Sequence, residues 1–299
     1  MLKVIIIILA VLVLLLLGFS FWLPSYVMTG KRQTLEEARK WQSDRYDISF
    51  YDKCKKQEYL IKGFEGYELH TVFLENPKPS CRYMILTHGY TDNRIGSLKY
   101  AKLYLDLGYH CVLYDLRGHG ENQKDFTTYG IREAKDLSCV IADTRSRYQK
   151  IEILGLHGES LGAATTATVM KYQPQVDFAV CDCGFSDIVN VLKRLYQYAH
   201  VPAFFVDIAD ITGKIRYHYS IKDMRPVDSL DGNRIPMLFL HGEEDHYVLP
   251  QNSRNLFERT AGYKELHFIP GAHHAQSILT APELYREIVE AFLKKVHVV

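Results

Sequence analysis

The chain has 299 residues, 47% of them hydrophobic and 24% charged, with 36 Lys and Arg against 35 Asp and Glu. That length suits one large domain or two small ones, and the apolar share is enough for a sizeable core. A formal net charge of +1 argues against a nucleic-acid partner, which calls for a strongly basic face.

The first segment differs from everything after it. Val4 to Leu17 is uninterrupted apolar sequence, and Gly18 to Leu23 extends it without a charge. About 20 such residues make a helix of roughly 30 Å, the thickness of a bilayer core. Trp22 and Tyr26 sit where interfacial aromatic anchors belong. No small-residue cleavage pattern follows, and no cysteine lies close enough for lipid attachment. Residues 1–29 are therefore expected to form an uncleaved, single-pass membrane anchor. Orientation is ambiguous. Lys31, Arg32, Arg39 and Lys40 after the span favour a cytoplasmic domain, whereas a short basic tail before the apolar run is how export signals begin. The six cysteines show neither a disulfide framework nor metal-ligand spacing.

Residues 30–54 are charged and helix-prone, with Thr34 and Glu37 spaced for a capping box. They are expected to form a juxtamembrane helix or linker. From residue 55 apolar strands alternate with helices. Glu58–Lys62 and Glu68–Leu74 read as paired strands turning around Gly63 and Gly66. Strands follow at Arg82–Thr87, Tyr109–Tyr114, Ile151–His157, Phe178–Asp182, Pro236–His241 and Leu266–Ile269. Helices are expected at Ser97–Leu107, Arg132–Tyr148, Leu161–Tyr172, Pro250–Thr260 and Pro282–Val296. Apolar strands between amphipathic helices mean an α/β fold, a largely parallel sheet covered on both faces. Its ligand site lies beyond the carboxyl ends of the strands. The stretch at about 185–233 breaks the rhythm with many aromatics and few strand signals. It reads as a helical lid insertion.

The strand ends carry the chemistry. Gly158-Glu159-Ser160-Leu161-Gly162 between a strand and an Ala-rich helix is the pattern of a nucleophile elbow. Both flanks must be small because the serine occupies a sharp turn, which aims its hydroxyl at the start of the next helix. A serine hydroxyl needs a base and an orienting carboxylate. Asp245 follows the PMLFLH strand, and His274 follows ELHFI; the order Ser, Asp, His fits. Asp182 at the end of the preceding strand is an alternative acid, and His273 an alternative base. The backbone N–H groups of Tyr90 and Leu161 are the candidate oxyanion donors. His88 is read as a brace for the Tyr90 loop, and Asp115 and Arg117 as a pair fixing the next loop. No helix carries an H-x-x-x-H pair, so no metal is expected, and the reaction calls for no cofactor.

Five motifs then occur in family order: HGYTDNR (His88–Arg94), DLRGHGEN (Asp115–Asn122), GESLG (Gly158–Gly162), HGEEDHYV (His241–Val248) and PGAHHAQS (Pro270–Ser277). From about Lys55 onward the chain resembles bacterial α/β-hydrolases of the serine aminopeptidase S33-like group, especially membrane-anchored or cell-surface members. The resemblance implies a mostly parallel eight-stranded sheet, a lid after the sixth strand, and Ser160, Asp245 and His274 as triad. It also implies a domain (residues 55–299) that faces outward. The function expected is a serine hydrolase acting on acyl esters. A peptidase cleaving short peptides is the alternative, and a membrane-tethered binding protein without activity is a third.

Overall fold

A computed structural model describes residues 2–297 of the chain. Three helices come first, α1 (Leu2–Thr29), α2 (Leu35–Ser43) and α3 (Ser49–Lys53), then the antiparallel strands β1 (Lys56–Lys62) and β2 (Glu68–Leu74). Their connection is a tight turn in which Glu65 takes φ 59°. The expected alternation follows: β3 (Arg82–Thr87), α4 (Leu98–Asp106), β4 (His110–Tyr114), α5 (Ile131–Arg147), β5 (Ile153–Glu159), α6 (Leu161–Val169) and β6 (Phe178–Asp182). α7 (Ile188–Tyr198) and α8 (Phe205–Tyr217) interrupt it. β7 (Met237–Gly242), α9 (Gln251–Arg259), β8 (Lys264–Ile269), α10 (Ser277–Thr280) and α11 (Pro282–Lys295) complete the chain.

One eight-stranded sheet runs in the order β1-β2-β4-β3-β5-β6-β7-β8. β2 is antiparallel to both neighbours, and every pairing from β4 across to β8 is parallel. All residues of β4, β6 and β7 are buried, as strands covered on both faces must be. On one face Leu98, Tyr104, Tyr285 and Phe292 of α4 and α11 join a core. On the other, Leu137, Val140, Ala164 and Ala167 of α5 and α6 join a second. β3 lies between β4 and β5, so the connections leaving β3 and β5 diverge and open a crevice at their carboxyl ends.

The apolar N-terminal run is helical, but its expected role needs correcting. No helix among the described residues is long and apolar enough to cross a membrane. The single-pass anchor, the membrane contact through it and the domain held outside do not stand. The end of α1 packs into the domain core, whereas Val4 to Leu9, Leu14 and Leu15 ahead of it are exposed. Val27 and Met28 are buried, and Phe19 meets Phe205 of α8 edge-on with ring centres 5.2 Å apart. The Val27 carbonyl accepts from the Tyr90 hydroxyl at 3.0 Å and the Tyr129 hydroxyl at 2.5 Å. The Met28 carbonyl accepts from the Thr127 amide at 2.8 Å. Burial of the Val27 and Met28 side chains contributes about 1.5–3 kcal/mol each.

Residues 30–54 include the helix α2 and pack on the domain. The Thr34–Glu37 capping box is present, at 3.1 and 2.9 Å. Just before it, the Gln33 amide donates to the Thr91 carbonyl at 2.7 Å, and Asn93 Nδ2 donates to the Gln33 and Thr34 carbonyls at 3.2 Å each. Arg32 reaches the Gly118 carbonyl, the Asp125 carbonyl and Thr127 Oγ1. The segment is thus laced to the loops after β3 and β4. In the second of these, Asp115 and Arg117 do not pair with each other. Asp115 holds Arg94 and the Glu121 amide, whereas Arg117 forks onto Asp136 of α5 at 2.7 and 2.9 Å. Each finds a better-oriented partner across the fold than its near neighbour in sequence.

Candidate active site

At the end of β5 the chain turns sharply into α6. Ser160 takes φ 53° and ψ −110°, a left-handed conformation that a side chain normally avoids. The flanking glycines are required by contact. A Cβ on Gly158 would lie 2.1 Å from the Gly162 carbonyl oxygen, and one on Gly162 would lie 2.0 Å from that of Thr87. The Ser160 amide donates to the Asp182 carbonyl at 2.8 Å, tying the turn to β6.

The structure brings Ser160, His274 and Asp245 together. Ser160 Oγ is 2.9 Å from His274 Nε2, and His274 Nδ1 is 2.6 Å from Asp245 Oδ2. Asp245 is buried and further held by the amides of Tyr247 and Val248, at 2.9 and 2.8 Å. His241 Nε2 lies 3.1 Å from Asp245 Oδ2 and 2.7 Å from the Val248 carbonyl, while its Nδ1 faces Ser253 Oγ at 2.7 Å. Burial alone would raise the Asp245 carboxyl. The hydrogen bonds and charges of His241 and His274 overcome it and hold the group well below the ordinary carboxylate range. Asp182 is placed elsewhere. It sits beneath the elbow, accepting from Tyr100 at 3.1 Å and Ser277 at 3.2 Å, and burial lifts its carboxyl to about 6. His273 is exposed and turns to the Glu244 carbonyl at 3.0 Å.

Tyr90 and Leu161 both border the space at Ser160. Leu161 is the first residue of α6, where amides have no partner within the helix. The Tyr90 amide is oriented through His88. His88 Nδ1 meets the Gly89 carbonyl at 2.7 Å, and its Nε2 accepts from the Leu116 amide at 2.9 Å. In a trans peptide the carbonyl and N–H point opposite ways, so fixing the Gly89 oxygen aims the Tyr90 N–H away from it. Burial depresses the His88 ring to about 3, which keeps it neutral and able to bridge these two groups.

Sequence reasoning missed the charged network behind the elbow. Lys99 of α4 is buried against Glu159, with side-chain exposures of 4% and 7%, and its Nζ also donates to the Ala275 carbonyl at 2.8 Å. Tyr100 donates to Glu159 Oε2 at 2.6 Å. Burial opposes the Lys99 charge, but Glu159 and nearby Asp182 outweigh it and raise the ammonium pKa. One side chain therefore ties the residue before Ser160 to the residue after His274. The only signal in sequence is a lysine inside an apolar stretch, Leu98-Lys99-Tyr100-Ala101. Cys183 Sγ, Asp245 and His274 lie within 4.8 Å of one another. Both His274 nitrogens are already engaged, and burial pushes the Cys183 thiol far up, so these residues do not fit a metal.

Two spaces open on Ser160. The first is an apolar slot of about 50 Å³ bounded by Tyr129, Phe185, Val191 and Leu192, with Tyr90 and Leu161 at its mouth. The second is a polar chamber of about 210 Å³ that also touches His274 and is bounded by Asp92, Lys99 and Glu159.

The sequence profile of the prolyl oligopeptidase family matches residues 96–297, where the motifs had pointed to the S33-like group. The Bacillus subtilis protein YqkD is 30% identical over 269 residues, covering 88% of each chain. The human protein ABHD12B is 26% identical over 208 residues, covering 64% of this chain and 55% of its own. Among solved structures, the Pyrococcus furiosus esterase Pf2001 superposes with a TM-score of 0.68 at 20% identity, covering 84% of this chain and 96% of its own. Est1E of Butyrivibrio proteoclasticus gives 0.62 at 16% identity, covering 81% and 100%. These likenesses establish the α/β-hydrolase fold.

Two outcomes are expected. The stabilisation carried by the depressed Asp245 carboxyl is complete above its unfolded pKa, about 3.9, and is lost as pH falls through the folded value. The stability difference between wild type and Asp245→Asn in urea titrations should therefore shrink below about pH 4; growth on acidification would contradict the assignment. Lys99→Met leaves Glu159 buried without its cation and should lower stability by about 3–5 kcal/mol. Its kcat on an activated ester should fall at least about tenfold through loss of alignment. An unchanged kcat would mean that the tether to Ala275 positions nothing.

Proposed function

The chain belongs to the prolyl oligopeptidase family, and on that footing we propose that it is a serine hydrolase cleaving carboxylic esters through an acyl-enzyme on Ser160. Residues 55–299 form the catalytic unit, and the insertion at about 185–233 serves as its lid. The observation that carries this reading is the continuous hydrogen-bond chain from Ser160 Oγ through both nitrogens of His274 to Asp245. The esterase names of similar folds support it.

Ser160 Oγ attacks the ester carbonyl while His274 Nε2 takes its proton. Asp245, held at Nδ1, keeps the ring in the tautomer that leaves Nε2 free to accept. The carbonyl oxygen gathers negative charge and is met by the Tyr90 and Leu161 amides, aided by the positive end of α6. His274 then protonates the departing alcohol as the C–O bond breaks. Water, deprotonated by the same nitrogen, adds to the acyl-enzyme, and the acid leaves as Ser160 regains its proton. The acyl group occupies the apolar slot beneath α7, whose Val191 and Leu192 are buried. A peptidase is the second reading, favoured by the family matched; aminoacyl p-nitroanilides compared with p-nitrophenyl esters separate the two.

A fluorophosphonate is expected to add one mass increment to the folded protein and none to Ser160→Ala. That variant should also lose at least about 1000-fold in kcat on p-nitrophenyl butyrate. Equal labelling of the two proteins would eliminate Ser160 as nucleophile. Leu192→Trp fills the slot and should lower kcat/KM for the butyrate about tenfold relative to the acetate. If the acyl-length profile does not move, the chain lies elsewhere.

A further inference from the structure

The two spaces at Ser160 differ in which catalytic groups they reach. The apolar slot touches Ser160 and the Tyr90 and Leu161 residues but not His274. The polar chamber touches Ser160 and His274 together. An alcohol must depart on the side where His274 can protonate it, because that proton completes cleavage of the C–O bond. On the nucleophile reading above, the chamber is therefore the leaving-group side.

Its polar groups are unequally engaged. Lys99 is committed to Glu159 and the Ala275 carbonyl, and Glu159 Oε2 to Lys99 and Tyr100. Asp92 differs. Its Oδ1 accepts from the Asn93 amide at 2.8 Å. Its Oδ2 is packed against Gly96, where a Cβ would come within 1.9 Å, and the residue borders the chamber directly. Burial, with Glu159 adding to it, lifts the carboxyl to about 7. In its acid form such a carboxyl donates as well as accepts. Such a group suits hydroxyls. The N-terminal segment completes the chamber with Gln33 and Trp41. The Arg45 guanidinium covers the Trp41 ring at 3.7 Å and Lys99 lies beside it at 5.9 Å, so the ring offers a second cation no open face.

We propose that the chamber formed by Asp92, Lys99, Glu159, Gln33 and Trp41 is a leaving-group subsite that selects esters of neutral, hydroxyl-bearing alcohols, with Asp92 bonding the distal hydroxyl. The α1–α2 segment is then part of the specificity machinery, brought there by the Gln33–Thr91 and Asn93 hydrogen bonds.

The test compares 2-hydroxyethyl butyrate with propyl butyrate, which differ by a hydroxyl in place of a methyl, using the full chain. Wild type should favour the hydroxyl ester about tenfold in kcat/KM, the worth of one hydrogen bond. Choline butyrate should be turned over more slowly than the hydroxyl ester. Asp92→Ala and the near-isosteric Asp92→Leu should each bring the hydroxyl-to-methyl ratio close to one, with propyl butyrate as the internal measure of folded enzyme. A wild-type ratio near one, a preference for choline butyrate, or a ratio that survives both substitutions would overturn the subsite. p-Nitrophenyl butyrate separates the two levels. If it is cleaved and the ratio is near one, only the subsite falls; if it is not cleaved and Ser160 takes no label, the nucleophile reading falls and takes the subsite with it.

Discussion

The arrangement rests on a backbone contact at the end of β5. Ser160 is held left-handed in a turn so tight that Gly158 nearly touches the Gly162 carbonyl and Gly162 nearly touches that of Thr87. Such a conformation costs on the order of 1–3 kcal/mol and persists only when the surroundings over-determine it. Here they do. β5 lies between β3 and β6, the Ser160 amide bonds the Asp182 carbonyl, and every residue of α6 is buried. The same contact that forbids a side chain at Gly162 sets α6 against β3, so the start of α6 and the loop after β3 converge on one hydroxyl.

Behind that turn lies an uncommon concentration of buried charge. Lys99, Glu159, Tyr100 and Asp182 come from α4, β5 and β6, and Ser277 of α10 closes the group. Such groups are costly to bury singly and tolerable only as a satisfied network. Their benefit is geometric. The loop bearing His274 has no regular structure of its own until α10 begins, and Lys99 at the Ala275 carbonyl fastens it to the elbow. Asp245 is secured separately by two amides and His241. Ser160, His274 and Asp245 are thus each held by contacts with residues outside the three.

The N-terminal segment is the largest departure from what its composition suggests. An apolar run followed by charged residues reads as an anchor and a juxtamembrane helix or linker. In the fold the end of α1 is core, with the Val27 carbonyl receiving both Tyr90 and Tyr129 hydroxyls. Tyr90 therefore links α1 to the loop after β3, which borders the space at Ser160. Hydropathy registers how apolar a segment is, but not which of its residues the fold buries: Val27 and Met28 are core, while Val4 to Leu9 are exposed.

Much of the fold and the chain of Ser160, His274 and Asp245 was legible in the sequence because the signals are local. Strand periodicity, the helices between strands and the glycines around Ser160 each follow from a few adjacent residues, and in a parallel sheet every strand end points to the same edge. Asp245 and Asp182 both sit at strand ends in the sequence; in the fold Asp245 faces His274, whereas Asp182 lies beneath the elbow. What only the tertiary structure decided are the pairings between distant segments: Lys99 with Glu159 and Ala275, Arg94 rather than Arg117 with Asp115, and Gln33 and Trp41 beside the chamber. A buried charge must find its partner in space, and nothing in the spacing of residues along a chain records which partner the packing brings within reach.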